Sequence, residues 1–266
     1  MRRKLSRRDF IGLTALAAAA GAGLCGIGGI AGILLLRRRR LALMPTSTPL
    51  PTPTPTPFPI TIVSRAAWGA RPVNHEAEDE KGFATQENLN GWYEYTVDLA
   101  TIYRTVAIHH SAFSSEEATT TALHYDTMIG LQTLHQDRRH WADIGYHYGI
   151  GADGTIYEGR DIHARGANVE NYNWGTVGIV LMGNFEIEAP TDAQIASLNL
   201  LITWLKLTLN VTHLAAHSEF NDKTQCPGSH LKGLLDQMAQ IAGLARGTGG
   251  YVRPPLSIFP TSTPSP

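Results

Sequence analysis

Two kinds of side chain in this sequence could do chemistry together: a lone thiol and histidines at the ends of apolar runs. Cys226 stands in the run Ala216-His217-Ser218-Glu219-Phe220-Asn221-Asp222-Lys223-Thr224-Gln225-Cys226-Pro227-Gly228. The only other cysteine, Cys25, lies in an uncharged N-terminal stretch, so no disulfide partner is in view. A lone thiol nine residues after a histidine is an inert core residue, a nucleophile or a metal ligand. Most of the 11 histidines need no special account; His75, His124, His135, His140, His213 and His230 fall in loops or on helix faces. His109 and His217 differ, because each closes an apolar run that reads as a strand, and strand ends hand side chains to clefts. Two imidazoles and one thiolate make three ligands, and three protein ligands with one open position is the arrangement of catalytic rather than structural zinc.

Elements must bring these residues together. Thr105–His109 is a short run of branched residues, expected as a buried strand. Residues 116–136 carry apolar side chains at helical spacing, with Ser114 and Ser115 ahead as N-caps. Tyr146–Ile150 and Thr155–Glu158, joined through Asp153-Gly154, predict a hairpin. Thr176–Met182 is a further strand, and His213–His217 a last one. Thr191-Asp192-Ala193-Gln194 is a capping box opening a helix to about Leu209, and Gly228–Leu244 reads as one closing amphipathic helix. Residues 74–100 are polar with interspersed aromatics and read as a long loop. Strands mixed with helices predict an α/β domain: a central mixed β-sheet flanked by helices.

The flanks of that domain differ in kind. Arginines and a lysine crowd the first eight residues, Phe10–Leu36 carries no charge, and Arg37–Arg40 follow as a basic block. A stretch of that length can cross a bilayer as a transmembrane helix. Ser6-Arg7-Arg8-Asp9-Phe10 resembles a twin-arginine export signal, which orients the chain with its bulk outside. Residues 1–44 are therefore expected to be a signal and membrane anchor, or a signal removed on secretion if Ala20-Gly21-Ala22 is cleaved. Residues 45–60 are a Pro/Thr-rich linker, which in polyproline II form reaches about 45 Å. Residues 61–246 hold the globular domain, and 247–266 a Pro/Thr-rich disordered tail. A net charge of −1 gives no electrostatic reason to expect nucleic acid as a partner. The expected state is a monomer at the cell membrane with an extracytoplasmic domain.

Five motifs occur in order: Ile62-Val63-Ser64-Arg65-Ala66-Ala67-Trp68-Gly69-Ala70-Arg71, Ile108-His109-His110-Ser111-Ala112, Asp143-Ile144-Gly145-Tyr146-His147-Tyr148, Gly151–Arg160 and Thr224-Gln225-Cys226-Pro227-Gly228. Together they resemble the family of peptidoglycan recognition proteins and type 2 N-acetylmuramoyl-L-alanine amidases. The resemblance implies a groove for a glycopeptide and a zinc ion (Zn2+) held by His109, His217 and Cys226. It implies that Tyr146 is the catalytic tyrosine and that Thr224 stands where the family places lysine or threonine, with Lys223 adjacent. The implied reaction is hydrolysis of the amide between N-acetylmuramic acid and L-alanine in peptidoglycan. The alternatives are a receptor that binds without cutting and a cysteine peptidase pairing Cys226 with His217. Glu219 and His147 are the candidates for a general base, and His110 is expected to face away from the metal because neighbouring strand residues alternate. Besides lacking the disulfide common in animal members, the chain departs from the family in two places. Asn168 replaces a frequent histidine after Gly166-Ala167, which alters a substrate contact. His163-Ala164 fits neither stem-peptide pattern, so Arg165 is either a partner for the extra carboxylate of diaminopimelate or a solvated surface residue.

Overall fold

The computed structural model describes residues 59–114, 120–253, 255 and 259–260. The expected signal and anchor at 1–44 and nearly all of the linker lie outside them. Among the described residues, no helix is long and apolar enough to cross a membrane.

Seven strands form one mixed sheet in the order β1-β4-β3-β5-β2-β6-β7. They are β1 (Ile62–Val63), β2 (Thr105–His110), β3 (Tyr148–Ile150), β4 (Ile156–Glu158), β5 (Thr176–Leu181), β6 (His213–Ala216) and β7 (Ala245–Arg246). Only the β3–β4 hairpin is antiparallel. Its turn is the expected Asp-Gly, where Asp153 Oδ1 accepts from Thr155 N–H at 2.9 Å. The central strands β2 and β5 are buried on both faces, which is why they read as unbroken apolar runs.

Alternation along β2 divides the molecule. Val106 and Ile108 join Ile179, Leu198, Leu201, Ile202 and Leu205 in the larger core. Those leucines come from α2 (Asp192–Leu209), whose capping box forms as expected between Thr191 and Gln194. On the opposite face Val180 and Met182 pack with Trp68, Leu131, Ile144 and Met128 of α1 (Thr121–Thr133). His109 pairs in register with Val180, and so projects to this second face.

Three local expectations are corrected. The N-cap of α1 is Thr120, whose hydroxyl accepts from Leu123 N–H at 3.3 Å, rather than Ser114 or Ser115. The closing helix is broken into α4 (Ser229–Lys232) and α5 (Leu235–Ala242), with Gly233 capping the first piece; α3 (His217–Phe220) is a single turn after β6. The tail is not wholly free: Phe259 is buried against Trp174 at 4.5 Å between ring centroids, and Pro260 O accepts from Gln86 N–H at 3.1 Å. Apolar area outweighs the ordering cost there even in a Pro/Thr-rich context.

The long loop is also more anchored than its composition suggests. Glu80 is buried and bridges Arg160 at 2.8 Å and Arg165 at 3.1 Å. Burial alone would raise its carboxyl, but the two guanidiniums outweigh that and hold it below the ordinary value. The loop is thereby fixed as one wall of a groove.

Candidate metal centre

Parallel strands end at the same level, and this is what closes the sequence gap between the two histidines. Ile108 of β2 pairs with Ala216 of β6, so His109 and the next residue, His217, emerge side by side at the carboxyl ends of neighbouring strands. Open α/β sheets place ligands at such ends. The two rings lie 4.5 Å apart between centroids.

Cys226 reaches the same point from the loop after α3. Its carbonyl accepts from Ser218 N–H at 2.8 Å, and its N–H donates to Thr224 Oγ1 at 3.1 Å. The sulfur lies 3.7 Å from His109 Nδ1 and accepts from His110 N–H at 3.4 Å. One ligand atom from each of His109, His217 and Cys226 lies within 4.8 Å of the others. His110 itself turns away, as expected, and its Nδ1 accepts from Phe185 N–H at 3.3 Å.

The electrostatics suit a cation. Burial holds the His109 imidazole well below its ordinary value, with His217 adding to the effect, and burial likewise lowers His217. Both rings are neutral near pH 7 and keep a lone pair. Burial pushes the Cys226 thiol up to about 12. A nucleophilic cysteine needs the opposite shift, so the peptidase reading loses its physical basis. A divalent cation removes the penalty, because a coordinating thiol is deprotonated outright. Neutral imidazoles and a sulfur are the donor set of zinc, so the residues present fit the ion.

The groove beside the triad has a volume of about 800 Å³ and is lined by Tyr146, His217, Asn168, His135, Arg139 and Trp141 among others. Tyr146 stands 4.9 Å from His109, ring to ring. Burial raises its hydroxyl far above the ordinary value, with Cys226 a smaller cause, so it remains a donor at neutral pH. Thr224 is half-buried while Lys223 is exposed, and the threonine hydroxyl binds the backbone of the cysteine loop.

Other expected roles do not survive. Glu219 accepts from Ala216 N–H at 2.6 Å and holds Arg246 through both oxygens at 3.0 Å each, so both of its oxygens are committed to scaffold partners. His147 is fully buried; its Nδ1 accepts from Gly178 N–H at 3.0 Å and its Nε2 donates to Ala164 O at 3.1 Å. Burial brings it down to about 4. Neither residue is placed as a general base. Arg165 is neither solvated nor free for a diaminopimelate carboxylate: besides Glu80 it donates to Leu89 O at 2.7 Å and Asn90 O at 2.9 Å, and lies 4.8 Å over Trp174. Its work is to hold the groove wall.

From sequence, His135 reads as an ordinary packed or solvated residue. It is buried, lies 5.3 Å from the Tyr146 ring, and accepts from Gly145 N–H at 3.0 Å through Nδ1. Burial brings it down to about 3. Position on a helical face carries no sign of this, because the groove is completed by a distant strand.

Comparison with known proteins agrees with this geometry. Residues 98–229 match the family described as N-acetylmuramoyl-L-alanine amidase. The chain is 30% identical over 175 residues to peptidoglycan-recognition protein SC2 of Drosophila simulans, covering 65% of this chain and 83% of that protein. It is 31% identical over 132 residues to N-acetylmuramoyl-L-alanine amidase of Sus scrofa, covering 48% of this chain and 22% of that longer protein. Among solved structures it resembles a variant of Drosophila PGRP-LB in complex with tracheal cytotoxin, with a TM-score of 0.53, 29% identity, and coverage of 66% of this chain and 92% of that one.

Proposed function

The chain belongs to the family of N-acetylmuramoyl-L-alanine amidases and peptidoglycan recognition proteins, and on that premise we propose that it is a zinc-dependent hydrolase of the amide joining N-acetylmuramic acid to L-alanine in peptidoglycan. The observation that carries the proposal is the convergence of His109, His217 and Cys226 within 4.8 Å beside an open groove. Those three side chains would hold the ion. Zinc, when bound, supplies a Lewis acid and a water of lowered pKa.

The protein's own residues do the rest. Tyr146 keeps its proton because desolvation raises its hydroxyl, and can donate a hydrogen bond to the oxygen on which charge develops. Thr224 fixes the backbone that presents the sulfur. His110 donates its N–H to that sulfur and stabilises it as a thiolate. The wall built on Glu80, Arg160 and Arg165 shapes the groove in which a glycopeptide is oriented. That a similar protein is solved with tracheal cytotoxin supports a muropeptide as the ligand. The N-terminal sequence adds a location: residues 1–44 would anchor the chain and the linker would carry the domain into the wall outside.

Mass spectrometry of digested muropeptides tests this reading. The wild-type chain should release stem peptides with a new L-alanine N-terminus. Cys226→Ala should lose bound zinc and at least about 10³-fold in cleavage, since the ion and its activated water go together. Stoichiometric zinc with intact muropeptides would instead assign the chain as a binding-only receptor.

A further inference from the structure

His109 has two ring nitrogens with different neighbours. Nδ1 faces Cys226 Sγ at 3.7 Å, while Nε2 lies 3.3 Å from Asn168 Oδ1. A nitrogen that gives its lone pair to a cation must be unprotonated, so a neutral imidazole then carries its hydrogen on the other nitrogen. That hydrogen needs an acceptor, and both partners are buried.

Asn168 is built to be one. Its own N–H and that of Val169 both donate to Asn173 Oδ1 at 2.7 Å, which fixes the backbone. Its side chain fills a slot between two glycines. A Cβ on Gly178 would come within 2.6 Å of Asn168 Cγ, and a Cβ on Gly166 within 2.4 Å of Nδ2. Two positions without side chains are therefore what lets the amide reach the ring. The Nδ2 end sits buried in that slot without a hydrogen-bond partner. An orphaned amide hydrogen is a standing cost, and a site retains one where the other end of the group is committed.

We infer that Asn168 is a positioning residue of the metal centre: its Oδ1 accepts from His109 Nε2–H, selects that tautomer, and leaves Nδ1 turned toward Cys226 for the ion. The inference deepens the zinc reading above and rests on it. It moves Asn168 from the substrate contact expected from the sequence to the support of a ligand.

Two variants of the full-length chain test it, each titrated with zinc against a competing chelator. Asn168→Leu has nearly the same size but no acceptor, and should weaken zinc about 10–100-fold, as loss of an outer hydrogen bond to a metal-ligating histidine does. Asn168→Asp keeps the acceptor and should hold zinc at least as tightly as wild type. Nitrogen-15 spectra of the zinc-free protein give a second readout: the His109 proton resides on Nε2 in wild type and spreads over both nitrogens in Asn168→Leu. Wild-type zinc affinity with an unchanged tautomer in Asn168→Leu overturns the inference. So does weakened zinc in both variants with the tautomer unchanged, which would assign the residue to packing. Should Asn168→Leu not fold, Asn168→Asp decides alone, and weakened zinc there overturns the inference. Variants that behave as expected while wild type cleaves no muropeptide would sink the hydrolase reading and leave this one standing.

Discussion

Two polar triads, one buried and one partly so, border the same groove, and they are built on opposite plans. In the first, Glu80 faces Arg160 and Arg165. All five N–H donors of Arg160 are used: Nε to Ile144 O, Nη1 to Glu80 Oε1 and Arg165 O, Nη2 to Glu80 Oε2 and Asp143 O. Charge meets countercharge, and the guanidinium is saturated from within the protein. In the second, His109, His217 and Cys226 bring lone pairs together. The imidazoles are held neutral and the thiol is pushed up by burial. One triad is complete in itself and holds the wall; the other is a donor set whose natural complement is a cation. Burial of polar groups is common to both. The sign of the partners separates scaffold from chemistry.

That contrast can be broken by removing one member of each. Glu80→Gln leaves two buried guanidiniums without a countercharge, and should cost about 3–5 kcal/mol of folding stability, read from urea midpoints. Zinc affinity should change little. A loss below about 1 kcal/mol, the range of an exposed ion pair, would show that the triad is not the fastening of the groove wall.

Tyr146→Phe sharpens the other side. It removes a donor and no ligand, so kcat should fall about 10²-fold, the effect of losing one oxyanion donor, with zinc content unchanged. Zinc lost in step with activity would instead make Tyr146 part of the ion's support.

The last effect is a slope, spread over several pH units. His135 and His147 are brought down to about 3 and about 4 by burial. The unfolded chain therefore binds protons that the folded chain refuses once the pH drops below about 6.5, the ordinary histidine value. Stability is full above that value and is lost as the pH falls toward 4 and 3, each histidine contributing about 1.4 kcal/mol per pH unit within its window. Thermal midpoints of the zinc-free protein between pH 7 and pH 4 read it directly; a flat profile would mean that neither ring is held neutral.

Much of this was legible in the residues themselves. The runs that became β2, β5 and β6 are apolar because both sheet faces are covered, and the capping box at Thr191 states its helix start locally. His109, His217 and Cys226 announce themselves as polar groups at the ends of apolar runs, or as a thiol with no partner. Beyond the local corrections to a cap and a helix break, what failed to read shares one cause. Arg165, Glu80 and His135 owe their roles to partners far along the chain, and Asn168 reads as a changed substrate contact until its oxygen is seen against His109. Even the tail hides an anchor, since Phe259 looks like part of a Pro/Thr-rich segment until Trp174 is beneath it.

The sequence by itself therefore determined most of the elements and the donor types, because periodicity, capping and side-chain chemistry are local. Tertiary structure alone decided which donors meet. The level ending of the parallel strands β2 and β6 sets His109 beside His217, and two missing side chains at Gly166 and Gly178 admit the amide that turns one imidazole the right way. Hydrogen-bond reach is a few ångströms, and only the folded chain carries residues separated by half its length across that distance.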